Sequence, residues 1–334
     1  MNLAPAISIV VTAHNEGDCI AECLRSLAAQ RGTLEFEILL VDDRSTDDTA
    51  QVALGLKLEN FSLIRLDHFD HPGLTARQVA LDAAFKAARG EVVFLTDADA
   101  IVPPDWVSSM CAKMKNSNAD AVAGPVQFLP RTNGRNRTVA LLQTADNAFY
   151  TGVCAVLNRL GFASGFVFGN CAFRRECFEK IGGFASIGFA LTEDLAFARA
   201  LRAAGLRIAF VAKPAVAVRA CGSLPELMRR AQRISEGGVS ALSISLGVWM
   251  VAWVVLGIGA VAFPLVFAVP FLVRYLLGAG FVAWWLSRCG RSRLLLFSLI
   301  YEPVAFIAGL CVLLSGHRKS SVAWGGLDYE RRLF

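Results

Sequence analysis

Three acidic clusters stand in the first 194 residues, and two of them directly follow apolar runs. Asp42-Asp43 come after Phe36–Val41, Asp97-Ala98-Asp99 after Glu91–Thr96, and Glu193-Asp194 end the segment Gly188–Asp194. Two aspartates one residue apart at a strand end supply hard oxygen ligands, which suit Mg²⁺ or Mn²⁺ on a phosphate. A further carboxylate on a separate loop can take a proton from an attacking hydroxyl. The chemistry these residues allow is that of an enzyme handling a nucleoside diphosphate.

Such acids act together only if the fold gathers them, and the intervening sequence is suited to that. Ile7–Thr12, Phe36–Val41, Phe61–Leu66, Glu91–Thr96, Ala119–Val126 and Arg207–Val211 read as strands. Helical stretches separate most of them: Glu16–Gln30, Thr49–Leu56, Thr75–Arg89 stopped by Gly90, and Asp105–Lys115 opened by Pro103-Pro104. Asp47 and Asp48 are placed to cap the helix at Thr49. This order predicts an α/β fold with a doubly wound sheet, whose ligands gather outside the carboxyl ends of the strands. The polar run Thr12-Ala-His-Asn-Glu16 after the first strand would then face a nucleotide. It is not a dinucleotide fingerprint, and no phosphate-binding loop of the G-x-x-x-x-G-K-[ST] type is present.

Ile7-Ser-Ile-Val-Val-Thr-Ala-His-Asn-Glu16, Val41-Asp-Asp-Arg-Ser-Thr-Asp47, Asp97-Ala-Asp99 and Thr192-Glu-Asp194, in this order, resemble the motifs of family 2 glycosyltransferases. The resemblance covers roughly residues 5–238 and implies an inverting enzyme with the GT-A fold, a Rossmann-like, doubly wound mixed sheet. It implies that Thr12, His14 and Glu16 form the nucleotide loop, that Asp42 and Asp43 bind the base, and that Asp97 binds the ribose. Asp99 would hold Mg²⁺ or Mn²⁺ on the diphosphate, and Asp194 would be the catalytic base, with Glu193 beside it. Arg77 stands where many members carry a phosphate-side lysine, and Asp82 replaces a common asparagine. Gly169-Asn170 resemble the lining of the donor-sugar pocket. Residue types alone leave His14 open between ligand and loop packing, and Arg174-Arg175 open between substrate and surface.

Two departures from the family pattern bear on the acceptor. Membrane-bound members often carry Q/R-x-x-R-W after the base. Here Arg230 and Arg233 match the arginines, but Ile234 replaces the tryptophan associated with polymer-making enzymes. The tail Val322–Tyr329 loosely resembles the W-x-G-R-x-Y ending of enzymes that add one sugar to a lipid, with Gly326-Leu327 in place of Gly-Arg.

From Ala241 to Leu286 the only charge is Arg274, and from Leu294 to Gly316 the only charge is Glu302. At about 20 apolar residues per crossing, the first stretch suffices for two spans broken at Pro264 and the second for one. Arg274 and Glu302 are costly there unless paired or buried. Basic residues around Leu224–Arg233, Arg288–Arg293 and His317–Arg332 flank these stretches. The net charge of +5 therefore suits headgroups on the cytoplasmic side and not nucleic acid. No signal peptide is expected from Met1–Pro5 and Ile7–Val11, so the catalytic part is expected in the cytosol and the whole in the cytoplasmic membrane. Nine cysteines, with no C-x-x-C pair, read as reduced thiols and not as a zinc site.

Along the chain these readings predict a GT-A domain over 1–221, a basic interfacial helix over 222–238, two or three membrane spans over 239–316 and a basic tail over 317–334. The expected activity is metal-dependent, inverting transfer from a nucleotide sugar, a UDP-hexose by preference, to a membrane lipid or polyprenyl acceptor. A processive polysaccharide synthase and a silent nucleotide-sugar-binding membrane protein are the alternatives.

Overall fold

A computed structural model describes residues 5–32, 35–69, 71, 73–130, 136–162, 164–235, 241–315, 321–324 and 327–330. Residues 131–135, the end of the basic segment at 236–238 and the Gly325-Gly326 pair lie outside the described residues.

The first half alternates as β1 (Ile7–Ala13), α1 (Gly17–Ala28), β2 (Phe36–Asp43), α2 (Thr49–Gly55), β3 (Phe61–Leu66), α3 (Ala76–Ala87), β4 (Val92–Asp97) and α4 (Trp106–Ser117). β5 (Ala121–Ala123), β6 (Val126–Leu129) and the long helix α5 (Arg137–Arg159) follow. Then come β7 (Cys171–Arg174), α6 (Arg175–Lys180), α7 (Gly183–Ile187), α8 (Glu193–Ala203), β8 (Ile208–Phe210) and β9 (Val216–Arg219). The remainder is α9 (Leu224–Ser235), α10 (Ala241–Ala262), α11 (Pro264–Arg288), α12 (Ser298–Ser315) and the hairpin β10 (Ser321–Trp324) with β11 (Leu327–Glu330).

Seven strands form one mixed sheet in the order β3-β2-β1-β4-β7-β5-β8. The first four are mutually parallel, and β7 runs antiparallel between β4 and β5. Parallel strands covered on both faces read as continuous apolar runs, which is why β1, β2 and β4 are legible as strands. β7 has four residues, the last of them Arg174, too few for a periodic signal. β2 continues two residues past the expected end, so Asp42 and Asp43 are themselves in the strand.

At the amino ends of the central strands, buried Glu37 accepts from Ser8 Oγ at 2.6 Å, from the Arg89 amide at 2.8 Å and from Arg89 Nε at 2.8 Å. Gly90 fits against β1 because a Cβ there would lie 2.5 Å from the Ile7 carbonyl carbon. One face of the sheet carries a phenylalanine core. Phe85 of α3 meets Phe173 at 5.1 Å, Phe178 at 5.0 Å and Phe184 at 6.0 Å, and Phe197 of α8 meets Phe173 at 5.0 Å. Truncating one such buried ring costs about 3–5 kcal/mol, so α3 and α8 are fixed to the same core.

The chain divides into two compact units. The sheet unit is Met1–Leu129, Gly165–Arg219 and Ser320–Phe334; the helical unit is Pro130–Ser164 and Ala220–Lys319. This grouping differs from the linear division at 221, 238 and 316. α5 belongs to the helical unit, where Phe149 packs on Trp249, Phe281 and Tyr301, and Trp285 Nε1 donates to Thr151 Oγ1 at 3.0 Å. The described tail belongs to the sheet unit.

In the helical unit, Phe263-Pro264 separates α10 from α11, at the proline that the sequence marks as a break. Pro264–Arg288 and Leu294–Cys311 are long and apolar enough to cross a membrane, judged by length and composition. Arg274 NH1 lies 2.7 Å from Glu302 Oε2, and Trp249 Nε1 donates to Glu302 Oε1 at 3.0 Å. The two charges in the apolar runs thus neutralise each other, with the Arg274 guanidinium over the Trp249 ring. All nine cysteines are thiols.

Candidate active site

Strand register gathers the acids. β1 lies between β2 and β4, with Ala13 opposite Asp42 and Thr12 opposite Asp97. Asp42, Asp43 and Asp97 therefore end the two strands that flank β1, at the carboxyl edge of the sheet, where a doubly wound fold receives its ligand.

The loop after β1 is tied to the loop after β2. Asn15 adopts a left-handed backbone, φ 58°, and its Oδ1 accepts from the Thr46 amide at 2.8 Å. The Asn15 amide donates to Ser45 Oγ at 2.9 Å, and the Glu16 amide to Thr49 Oγ1 at 2.8 Å. Asp47 accepts from the amides of Gly17 and Thr49, each at 3.0 Å. Desolvation opposes its charge, but these hydrogen bonds and that of the Thr49 hydroxyl hold the Asp47 carboxyl below its ordinary pKa. Asp47 is thus a tie at the start of α2, as its type and position suggest. His14 Nδ1 is 2.5 Å from the Asp43 carbonyl, so its ring braces the two loops. Asp43 itself accepts from Nε and NH2 of Arg44, at 2.8 and 3.1 Å, and Asp42 is buried. Asn15 is absent from the sequence-derived site; the signal for it was the tolerance of asparagine for left-handed backbone.

Arg77, one residue into α3, joins the acids of two elements. Its NH2 lies 2.6 Å from Asp97 Oδ1, and its Nε lies 2.8 Å from Glu193 Oε1 but off the line of a hydrogen bond. Burial disfavours the guanidinium charge, yet Asp97 and Glu193 more than offset it and hold its pKa above the ordinary arginine value. Glu193 and Asp194 occupy the first turn of α8, where the helix end favours negative charge. Phe197, one turn further on, is fully buried in the phenylalanine core and fixes that end of the helix. Asp194 Oδ1 accepts from the Leu195 amide at 2.8 Å.

Gly169 lies against Asp97: a Cβ there would be 2.7 Å from Asp97 Oδ2. Its carbonyl accepts from Thr96 Oγ1 at 2.9 Å. Asn170, expected to line the donor pocket, is fully buried and turned inward. Its amide nitrogen donates to the carbonyls of Pro125 and Pro214 at 2.8 and 3.0 Å, and its oxygen accepts from Trp106 Nε1 at 2.9 Å. It holds the wall and offers no polar atom to a ligand. Asp99 Oδ2 accepts from the Arg219 amide at 3.2 Å, and a bridge between Ile101 and Ala217 ties the same two segments. Arg219 carries no local motif, so sequence reasoning passed it over. Arg230 and Arg233 lie on α9 in the helical unit and are described within that unit alone.

Asp97 and Asp99 offer carboxylate oxygens two residues apart, a donor set that fits Mg²⁺ or Mn²⁺. Among the described residues no three His, Cys, Asp or Glu side chains cluster into a complete cation cage. Burial pushes the Cys19 and Cys23 thiols far above their ordinary range, which disfavours thiolate chemistry at these two residues.

A family model described as glycosyl transferase family 2 matches residues 8–182, more than half of the chain. The chain belongs to glycosyltransferase family 2. Among curated relatives, this glycosyltransferase is 26% identical over 237 residues to the poly-β-1,6-N-acetyl-D-glucosamine synthase of Staphylococcus aureus, covering 71% of this chain and 55% of that one. It is 28% identical over 122 residues to the glycosyltransferase GlyG of Streptococcus pneumoniae, covering 36% of this chain and 39% of that one. The chain spans about half the length, or less, of such relatives. Among solved structures, the mannosyltransferase PcManGT of Pyrobaculum calidifontis, in complex with GDP-Man and Mn²⁺, superposes with a TM-score of 0.53 at 19% identity. That match covers 90% of this chain and 88% of the other. The shared architecture is the GT-A fold, as the sequence motifs imply.

Proposed function

We propose that this glycosyltransferase moves a hexose from a nucleotide sugar, preferentially a UDP-hexose, to a lipid or polyprenyl acceptor at a membrane surface, with inversion at the anomeric carbon. The observation that carries the reading is the Arg77 bridge between Asp97 and Glu193. It joins the carboxyl edge of the sheet to the first turn of α8, the turn that also carries Asp194, and this supports reading Asp194 as the base.

In this reading Thr12, His14, Glu16, Asp42 and Asp43 hold the nucleoside, the loop ties above keeping them in register. Asp97 takes the ribose, and Asp99 takes the cation. When bound, a divalent cation supplies Lewis-acid stabilisation of the departing diphosphate. Asp194 removes the proton of the acceptor hydroxyl as its oxygen bonds to the anomeric carbon from the face opposite the diphosphate. The carbon–oxygen bond to the nucleoside diphosphate breaks in the same displacement, and one base suffices. Arg77 offers its cation to the diphosphate side while keeping Asp97 and Glu193 from repelling each other. Gly169 leaves room at Asp97. Arg230 and Arg233 on the amphipathic α9 face headgroup or diphosphate, and the apolar helices keep the enzyme at the bilayer, with the catalytic unit on the cytosolic side.

The Staphylococcus aureus relative, a polymer synthase by name, favours a second reading in which the product is extended repeatedly. Ile234 in place of the tryptophan of polymer-making members counts against it. The deciding experiment supplies a panel of radiolabelled nucleotide sugars to membranes carrying the protein and identifies the product by mass spectrometry. A lipid bearing one added sugar supports the proposal. A ladder of polymer lengths selects the synthase, and label in no lipid or polymer removes both.

A further inference from the structure

The described tail is built into the sheet unit at the foot of the helix that carries Arg77. Tyr329, on β11, is buried. Its hydroxyl accepts a hydrogen bond from the Ala76 amide at 2.9 Å, across a sequence separation of 253 positions. Ala76 is the first residue of α3, so this amide is one of the four that a helix cannot satisfy internally. Ala76 is itself buried, and water is a poor substitute for Tyr329 there.

The same helix start is wired to the segment before the proposed base. Thr75 and Gln78 form a capping box, each side chain accepting from the other's amide, at 3.2 and 2.9 Å. Gln78 also reaches across: its Nε2 donates to the Gly188 carbonyl at 2.8 Å, and its Oε1 accepts from the Ala190 amide at 3.1 Å. Between those two residues stands Phe189, whose ring meets the Tyr329 ring edge-on at 5.5 Å. Tyr329 therefore touches both sides of the junction, the first amide of α3 and the segment running into Glu193-Asp194. Asp43, Arg44 and Glu193 are all close enough for their charges to act on its phenol.

We propose that Tyr329 is a positioning residue of the transfer site: by capping Ala76 and packing on Phe189 it sets Arg77 against Asp97 and Glu193, and holds the segment that presents Asp194. It touches neither donor nor acceptor and acts through Arg77 and Gln78. The inference rests on the donor-site reading given above. It also gives the tail a use independent of its loose likeness to the ending of single-addition enzymes, since the contacts are those of Tyr329 alone.

The test uses the full-length protein in detergent, comparing wild type with Tyr329→Phe, which removes only the hydroxyl, and Tyr329→Ala, which also removes the ring. Hydrogen exchange and nucleotide affinity are measured on each, the latter with UDP, GDP, CDP and dTDP in the presence of Mn²⁺. In Tyr329→Phe, amides in 75–79 and 187–195 should exchange at least about 3-fold faster while those of β1 and β2 do not change. Affinity for whichever nucleotide binds wild type should fall about 3–10-fold, the scale of one neutral hydrogen bond, with the melting temperature lowered by no more than a few degrees. Tyr329→Ala should exceed both effects; if it does not fold, Tyr329→Phe carries the test. Unchanged exchange at 187–195, or a lower melting temperature with unchanged nucleotide affinity, overturns the proposal. If no nucleotide binds wild type, the donor-site reading fails, and exchange at 187–195 alone decides whether Tyr329 positions that segment.

Discussion

Arg77 NH2 and Asp97 Oδ1 are 2.6 Å apart, although they stand 20 positions apart along the chain, at the start of α3 and the end of β4. The same guanidinium reaches Glu193, so a single cation sits between the acid of the sheet edge and the acid beside Asp194. Removing it leaves two close carboxylates uncompensated, and lysine cannot replace it because an ammonium cannot span both partners as a planar fork does. Arg77→Lys should weaken nucleotide binding about 10–100-fold, or about 1.4–2.8 kcal/mol, while melting close to wild type. Calorimetric titration with Mn²⁺-nucleotide checks this; wild-type affinity in the lysine variant contradicts a bridging role.

The metal assignment turns on Asp99. Asp99→Asn retains a side-chain oxygen to accept from the Arg219 amide, so the fold should survive. Metal-stimulated nucleotide binding and turnover should both be lost. EDTA should have the same effect on wild type and be reversed by Mn²⁺ or Mg²⁺. Full activity in EDTA-treated enzyme without added cation would remove the metal from the account.

Stability should carry a signature from the far end of the sheet. Burial opposes the Glu37 charge, but Arg89 and Ser8 outweigh it and hold its carboxyl below the ordinary glutamate value. A depressed folded-state pKa contributes stability that is complete above the unfolded value, about 4.3, and is lost as pH falls through the folded one. Glu37→Gln should therefore cost about 1–3 kcal/mol at pH 7 and progressively less below about pH 4. A penalty that does not change between pH 7 and pH 3 contradicts the linkage.

Tyr329 and Ala76 share a hydrogen bond, so the tail and the sheet lie on the same side of any bilayer the chain enters. The segment between Arg219 and the tail then crosses any such bilayer an even number of times, which excludes three crossings. In sealed vesicles of one orientation, protease should remove tags from both ends of the full-length protein or from neither. Loss of one tag alone would refute the even count.

Much of this arrangement is legible in sequence because parallel strands announce themselves. β1, β2 and β4 are largely apolar runs, interrupted near their starts only by Ser8 and Glu37, and β2 and β4 end in aspartate, so those acids inherit their position from the strands. Elements of three or four residues such as β7 and β9 carry no periodicity, so the antiparallel strand beside β4 and the Arg219 contact to Asp99 were out of reach. Residue type also does not say which way a side chain turns. Asn170 sits where the donor pocket is expected, yet spends its whole amide on the Pro125 and Pro214 carbonyls and Trp106. Tertiary pairing is harder still to read. Nothing local in Arg77 announces Glu193, and nothing in Tyr329 announces Ala76.

The most direct measurement is steady-state transfer by purified wild type and Asp194→Asn, with the nucleotide sugar that wild type accepts. The substitution keeps size and the contact to the Leu195 amide but cannot take a proton from an acceptor hydroxyl. Turnover should fall about 10²–10⁴-fold with the donor KM little changed. Near-normal turnover at saturating donor, with donor binding lost instead, would make Asp194 a binding residue and contradict the proposed mechanism.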